Sequence, residues 1–224
     1  MSSSVEKSRR RRLSPEQRRS ELVAVGTELF ATHTYDDVRM EDVARAASVS
    51  RALLYRYFPD KPSLFVAVVD AVGDKMLQRT AAEIDSAASP FQQARTAVLG
   101  YLKAYEDYPT IAQASFQETI ATDSRMLNRD KYDRRQQSAL VVNQIQLLNG
   151  SGLGSLGDRM LSLTATAWMG FVEQAIRSWV LAPTVDRDVV ADICAHALLD
   201  AVLRVPGLTE SAKQQLMIRD SPAE

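Results

Sequence analysis

The side chains best suited to chemistry lie between residues 39 and 61, and that chemistry is hydrogen bonding to a polyanion. Arginine can bind both acceptors on a guanine edge in the major groove, and serine and tyrosine hydroxyls can donate to phosphates. Helical spacing turns Leu54 and Phe58 toward a core and leaves four neighbours exposed: Arg51, Ala52, Tyr55 and Arg56. This pattern predicts a surface that binds nucleic acid.

Residues that commonly carry catalysis or bind metals are few. Cys194 is the only cysteine, which excludes an internal disulfide and is typical of a cytoplasmic protein, and His33 and His196 are the only histidines. Cys194 and His196 are two positions apart and point in different directions on a helix. We therefore expect no catalytic pair, no metal site and no cofactor. The G-x-G-x-x-G sequence of residues 152–157 follows a predicted helix, whereas a dinucleotide site needs a preceding strand.

Charge is distributed unevenly along the chain. Residues 1–61 contain twelve Lys/Arg and nine Asp/Glu, whereas the remainder carries a net charge of −4. A basic head on an acidic body predicts an anionic partner at one end. Residues 1–12 are nearly devoid of apolar side chains and predict a disordered basic arm, ending in Arg9, Arg10, Arg11 and Arg12. We expect this arm to enter an A·T-rich minor groove; a solubility tail is the alternative.

Local signals define the helices that must position these residues. Ser14 and Gln17 form a capping box and predict the start of a first helix. A short amphipathic helix follows, Ser50 can cap a third helix, and Pro59 ends it. Asp60 can cap a fourth helix, and the pattern beyond it stays helical. The sequence predicts an all-α protein with about nine or ten helices.

The stretch from Met40 to Lys61 resembles the signature of the TetR family of bacterial transcriptional regulators. In order and spacing, the residues that match this signature are Asp42-Val43-Ala44, Val49-Ser50, Leu54-Tyr55, Tyr57-Phe58 and Lys61. The resemblance covers residues 14 to about 65. It implies a three-helix DNA-binding domain with a helix-turn-helix in residues 13–60, followed by a larger helical domain for ligand binding and dimerisation in residues 61–224.

The resemblance also assigns contacts with operator DNA. Arg51 and Ala52 would face base edges, with Tyr55 reaching them as well. Phosphate contacts would come from Ser50, Tyr55, Tyr57 and Lys61. Two residues depart from the family pattern: Ser48 replaces the usual glycine of the turn, and Arg39 replaces the threonine that caps the second helix. We expect Arg39 to bind a phosphate instead.

In the second domain the resemblance implies a cavity for a small ligand. We expect four aromatic residues to line it: Tyr105, Phe116, Trp168 and Phe171. Such a cavity favours an apolar or aromatic ligand. The predicted function is a repressor that this ligand releases from DNA. An activator of the same fold, a helical enzyme acting on a small apolar substrate, and a protein-interaction module are the alternatives.

Two predicted helices near the C-terminus favour a homodimer. Residues 156–181 are apolar around much of the helix circumference, and residues 185–203 carry alanines that permit close helix approach: Ala191, Ala195, Ala197 and Ala201. A monomer whose own core absorbs these faces is the alternative. A dimer predicts a palindromic operator.

No apolar run approaches the roughly 18 residues that a membrane span needs.

Overall fold

The computed structural model describes residues 13–218, apart from the side chains of residues 118 and 119. In chain order the helices are α1 Pro15–Thr32, α2 Met40–Ala46, α3 Arg51–Tyr57, α4 Lys61–Glu83, α5 Pro90–Asp107, α6 Pro109–Ser115, α7 Glu118–Ala121, α8 Ser124–Asn149, α9 Gly154–Leu181, α10 Arg187–Val202 and α11 Glu210–Met217. No strand occurs among the described residues, so the all-α prediction is confirmed. Apart from the four-residue α7, this part of the chain has ten helices, the upper end of the predicted number.

Hydrogen bonds at the predicted caps start α1, α3 and α4. Ser14 Oγ accepts the Gln17 N–H at 3.2 Å, and Gln17 Oε1 accepts the Ser14 N–H at 2.9 Å. Ser50 Oγ accepts a backbone N–H three residues further on, at 3.2 Å. Asp60 Oδ1 accepts the Ser63 N–H at 2.7 Å. Since each bond satisfies an N–H that has no partner within the helix, these three helix starts are confirmed.

One apolar core joins α1, α2 and α3 to the first half of α4. The rings of Phe30, Tyr35 and Phe65 meet at its centre, and the two edge-to-face pairs have ring centroids 5.0 Å apart. Gly26 allows α4 to approach α1, because a Cβ at this position would lie 3.1 Å from Val68 Cγ2. The core therefore fixes the orientation of α2 and α3 relative to α4.

A second core lies among α5, α8, α9, α10 and α11. Its fully buried side chains include Leu102, Leu161, Leu199 and Leu216. Within it, α10 packs mainly against α5 and α9. Two of the alanines expected to face a partner subunit, Ala191 and Ala195, are instead buried against the chain's own helices. Small residues on α10 thus serve packing within the chain.

The outer faces of α9 and α10 remain exposed and are partly apolar. Large side chains at spacings of seven to ten residues form a stripe along α9: Leu156, Leu163, Phe171 and Leu181. Val189 and Ile193 are exposed apolar side chains of α10. Other side chains of α9, among them Leu161 and Ile176, are buried in the second core. One side of α9 is therefore buried in the chain's own core, and another side remains exposed.

Glycines mark the loop between the two longest helices, α8 and α9. Gly150 ends α8 in the left-handed conformation, with φ of 70°, and α9 begins at Gly154. The G-x-G-x-x-G sequence therefore spans an interhelical loop and the first turn of a helix, with no strand before it. Among residues 13–218, none of the helices combines the length and the apolar character that a bilayer crossing requires.

Candidate nucleic-acid interface and ligand site

The turn between α2 and α3 is held in a strained conformation. Ser48 has φ of 53°, in the left-handed region that glycine adopts without strain. This conformation costs a residue with a Cβ about 1–2 kcal/mol. The Val49 N–H donates to the Ala44 carbonyl at 2.9 Å, and Ala47 is buried in the first core. Packing and hydrogen bonding around the turn therefore maintain it where the usual glycine is missing.

Helix α3 has one buried face and one exposed face. Leu54 and Phe58 are buried in the first core, which determines the rotation of the helix about its axis. The opposite face exposes the residues expected to meet DNA: Arg51, Ala52, Tyr55 and Arg56. Ser50 lies at the start of this face, and although its Oγ accepts the capping N–H, its hydroxyl hydrogen can still bind a phosphate.

Three arginines and three carboxylates line an open depression of about 540 Å³ beside the start of α3. Two ion pairs cross or border this depression. Arg51 Nη2 lies 3.2 Å from Glu41 Oε1, so that this pair joins α3 to α2 across the turn. Arg45 Nη1 lies 3.0 Å from Asp42 Oδ1, within α2. The surface is therefore not uniformly basic, since Arg45 and Arg51 are each paired with a carboxylate.

The predicted phosphate ligand Lys61 is held by the loop between α1 and α2. Its Nζ donates to the Tyr35 carbonyl at 2.9 Å and lies 4.3 Å from the centre of the Tyr35 ring. Burial raises the pKa of Tyr35 to about 12, and the nearby Asp60 carboxylate contributes to the shift, so the phenol is neutral at physiological pH. Because an ammonium has three donors, Lys61 can bind a phosphate while keeping its bond to Tyr35.

The remaining predicted contacts differ in accessibility. Arg39 is exposed at the start of α2 and forms no side-chain cap, so the expected loss of the cap is confirmed. Tyr57 is half-buried against the first core, which leaves part of its surface for a phosphate. The predicted arm lies outside the described residues 13–218, and so do the four arginines in which it ends, Arg9, Arg10, Arg11 and Arg12.

The structure brings together two of the four predicted ligand-binding residues. The rings of Tyr105 and Phe116 stack with centroids 5.7 Å apart, and the Arg177 guanidinium lies 5.3 Å from the centre of the Phe116 ring. Trp168 faces α10, where its Nε1–H donates to the Cys194 carbonyl at 2.8 Å and only 9% of the residue is exposed. Phe171 belongs to the outer stripe and is 43% exposed. Within residues 13–218, neither residue stacks on the Tyr105–Phe116 pair, although Trp168 lies in the core cluster against which Tyr105 packs.

Polar groups outside the predicted set lie beside this aromatic pair. Tyr101 precedes Tyr105 by one turn of α5, and its hydroxyl is buried without a hydrogen-bond partner among the described residues. Burial raises the pKa of both phenols, that of Tyr105 to about 12. Close by, Arg134 of α8 forms a bidentate ion pair with Glu173 of α9. The spacing of four residues between two tyrosines on one helix is the signal that identifies this site from sequence.

A segment from α6 to the start of α8 connects this cluster to the DNA-binding helices. Phe116 ends α6, while Ile111, Ile120 and Met126 are buried in the first core with α1 and α4. Arg125 Nη1 donates to both carboxylate oxygens of Asp60, at 2.8 and 3.1 Å. Asp60 caps α4. The segment that carries Phe116 is thus attached by apolar and ionic contacts to the helices that position α3.

Comparisons with known proteins agree with this geometry. The family profile of "Bacterial regulatory proteins, tetR family" matches residues 22–68, which include α2, α3 and the start of α4. The HTH-type transcriptional regulator HbdR of Aromatoleum sp. (strain CIB) is 26% identical over 206 residues, 88% of this chain and 84% of that protein. The HTH-type transcriptional activator FasR of Mycolicibacterium smegmatis is 28% identical over 125 residues, 50% of this chain and 57% of that protein.

A solved structure extends the agreement to the fold of nearly the whole chain. The tetR-family transcriptional regulator from Streptomyces coelicolor superimposes with a TM-score of 0.70 at 18% identity, covering 91% of this chain and 88% of that one. All of these relatives are regulators of transcription, which argues against the enzymatic alternative. The family resemblance is therefore confirmed over residues 22–68, which match the TetR family of bacterial regulators, and the chain is a DNA-binding transcriptional regulator.

Proposed function

We propose that this regulator is a homodimeric repressor that leaves its operator when a small ligand binds. Residues 1–12 act as a DNA-binding arm, residues 13–60 as the helix-turn-helix domain, and residues 61–224 as the ligand-binding and dimerisation domain. The observation that carries the proposal is the exposed face of α3, which presents arginines and hydroxyls while Leu54 and Phe58 anchor its other face in the core.

On the DNA side, the start of α3 enters the major groove, because the first residues of a recognition helix contact base edges. Arg51 and Ala52 meet the bases, and Tyr55 reaches them as well as the backbone. The remaining phosphate contacts come from Arg39, Ser50, Tyr57 and Lys61. Replacing Arg51 by alanine should relax sequence preference, whereas Lys61→Ala should weaken binding to all sequences alike.

The exposed faces of α9 and α10 support the homodimer. Their exposed apolar side chains include Leu163 and Phe171 of α9 and Ile193 of α10. A second copy of the chain is the occupant that covers the same surface on both subunits, as two-fold symmetry requires. The two copies of α3 would then contact two half-sites about one helical turn apart, so the operator is palindromic.

The ligand occupies the region around Tyr105 and Phe116. A stacked pair of rings beside a guanidinium favours a small, largely apolar or aromatic molecule. The Tyr101 hydroxyl, which has no partner in the described part of the chain, adds one specific requirement, a polar group on the ligand that hydrogen-bonds to this phenol. Trp168 belongs to the core cluster against which Tyr105 packs and can border the site, whereas Phe171 is exposed on the outer face of α9.

Ligand binding is transmitted through α4, as the resemblance implies, and through the segment that carries Phe116. A ligand that displaces Phe116 also shifts Ile111 and Met126, which pack against α1 and α4. To weaken DNA binding, the ligand must bind the arrangement that is incompetent for DNA more tightly than the competent one. A coupling of about 1–3 kcal/mol corresponds to roughly 5- to 150-fold weaker operator binding.

Electrophoretic mobility shift with DNA from beside the protein's own gene tests the proposal. We expect a specific complex at nanomolar protein whose affinity falls steeply with salt, by roughly 10³-fold between 50 and 200 mM for six or more phosphate contacts. Absence of any specific complex would contradict operator binding. FasR is named an activator, so a reporter gene under the same operator decides the sign: loss of the regulator raises expression for a repressor and lowers it for an activator.

A further inference from the structure

The ion pair between Glu41 and Arg51 joins the two helices of the helix-turn-helix. Glu41 lies in the first turn of α2, and Arg51 is the first residue of α3. Their side chains are 33% and 67% exposed, so the pair borders the surface that meets DNA. The neighbouring pair, Asp42 with Arg45, stays within α2. Only the first pair therefore restrains a residue of α3.

The restraint bears on how Arg51 can use its guanidinium. An arginine side chain without a partner samples many rotamers and is drawn to the nearest phosphate, a contact that carries no sequence information. Glu41 Oε1 lies 3.2 Å from Arg51 Nη2, at one edge of the guanidinium. A guanidinium has five N–H donors, so the free edge can still bind the two acceptors of guanine. The carboxylate also repels the phosphates that compete for the same arginine.

We propose that Glu41 is a specificity-determining residue, which holds Arg51 for base contacts and keeps it away from phosphates. This inference rests on the proposed operator contacts of α3. Specificity is the ratio of the affinities for operator and for unrelated DNA. Glu41 raises this ratio although its negative charge weakens both affinities.

The matched variants Glu41→Gln and Asp42→Asn test this role. Each removes one negative charge from the first turn of α2, at adjacent positions, and each breaks one exposed ion pair of similar length. The general electrostatic effect on DNA binding is therefore the same in both variants. Circular dichroism and thermal unfolding verify that both are folded, and dissociation constants are measured at one salt concentration. The probes are an operator selected from randomised DNA by the unaltered protein and a shuffled duplex of equal length.

We expect both variants to bind the shuffled duplex more tightly than the unaltered protein does. Glu41→Gln should lower the specificity ratio by about 3- to 25-fold. An exposed ion pair changes the affinity for each half-site by at most about fivefold, and a dimer contacts two half-sites. Asp42→Asn should change the ratio less than about twofold. Equal ratios for the two variants would overturn the inference.

The Arg51→Ala background separates failure of this inference from failure of the proposed interface. If Arg51→Ala alone leaves the specificity ratio unchanged, α3 does not read the operator as proposed. If Arg51→Ala lowers the ratio but Glu41→Gln does not, the interface stands and the role of Glu41 is overturned. In the Arg51→Ala background, Glu41→Gln should have no further effect on the ratio. A further loss there would mean that Glu41 contacts a base itself, which contradicts positioning of Arg51.

Discussion

Replacing Tyr101 by phenylalanine should make the ligand-free protein more stable. The hydroxyl of Tyr101 is buried without a partner among the described residues, and such a group costs about 1–3 kcal/mol of folding free energy. Phenylalanine keeps the ring and its packing but removes the oxygen. We therefore expect Tyr101→Phe to raise the free energy of unfolding by about 1 kcal/mol. The loss of a hydrogen-bonded hydroxyl would instead lower it by about 0.5–1.5 kcal/mol.

Thermal unfolding at a fixed protein concentration measures this effect, because the midpoint of a dimer depends on concentration. For a chain of this size, about 1 kcal/mol corresponds to an increase of about 2–4 °C in Tm. Tyr105→Phe is the matched control, because it removes the hydroxyl of a tyrosine that lies one turn further along α5. The Tyr105 hydroxyl is not among the buried, unpartnered groups of residues 13–218. We expect no stabilisation from this control.

The sign of the change decides the result. A Tyr101→Phe protein that unfolds at a lower temperature than the unaltered protein would show that the hydroxyl has a partner in solution, and the reasoning would be wrong. The same substitution should weaken binding of a ligand whose polar group uses this hydroxyl, by roughly fivefold to tenfold for one neutral hydrogen bond. Isothermal titration with such a ligand measures that loss, and an unchanged affinity would place the polar group elsewhere.

Three other perturbations test the link between the domains, the dimer and the arm. Arg125→Ala breaks the ion pair with Asp60. The factor by which ligand weakens operator binding should then change by about 2- to 30-fold. If DNA titrations with and without ligand give an unchanged factor, this ion pair does not contribute to the coupling. Ile193→Glu places a charge on the exposed apolar face of α10, and sedimentation at micromolar concentration should then give a monomer, whereas Gln214→Glu on the exposed surface of α11 should leave the dimer intact. Deleting residues 1–12 should leave Tm unchanged but weaken operator binding at least about tenfold, with a smaller salt slope; full affinity with an unchanged slope would reduce the arm to a solubility tail.

The helix starts and the helix-turn-helix could be predicted because the interactions that set them are local. The caps at Ser14, Ser50 and Asp60 each act on an N–H three residues further along the chain. The spacing of Leu54 and Phe58 likewise determines which face of α3 is buried. Both kinds of signal involve only a few consecutive residues, so they do not depend on how distant parts of the chain pack.

Contacts between distant segments could not be predicted in the same way. Because α9 is apolar around much of its circumference, periodicity alone did not distinguish the side that faces the core from the side that carries Phe171. The aromatic residues of the second domain were equally ambiguous: Trp168 donates to a carbonyl of α10, whereas the Tyr101 hydroxyl has no hydrogen-bond partner among residues 13–218. Each outcome depends on which acceptor the packing of other helices brings within reach.

Local sequence signals were sufficient to predict the fold class, the helix-turn-helix and the residue types on the exposed face of α3, because capping and hydrophobic spacing act within a helix or across one turn. Tertiary structure alone decided how those residues are restrained. The angle between α2 and α3 brings Glu41 to Arg51, and the packing of α4 against the preceding loop brings Lys61 to Tyr35. Side-chain contacts of this kind depend on the relative placement of whole helices, which the cores fix through the summed burial of many apolar side chains.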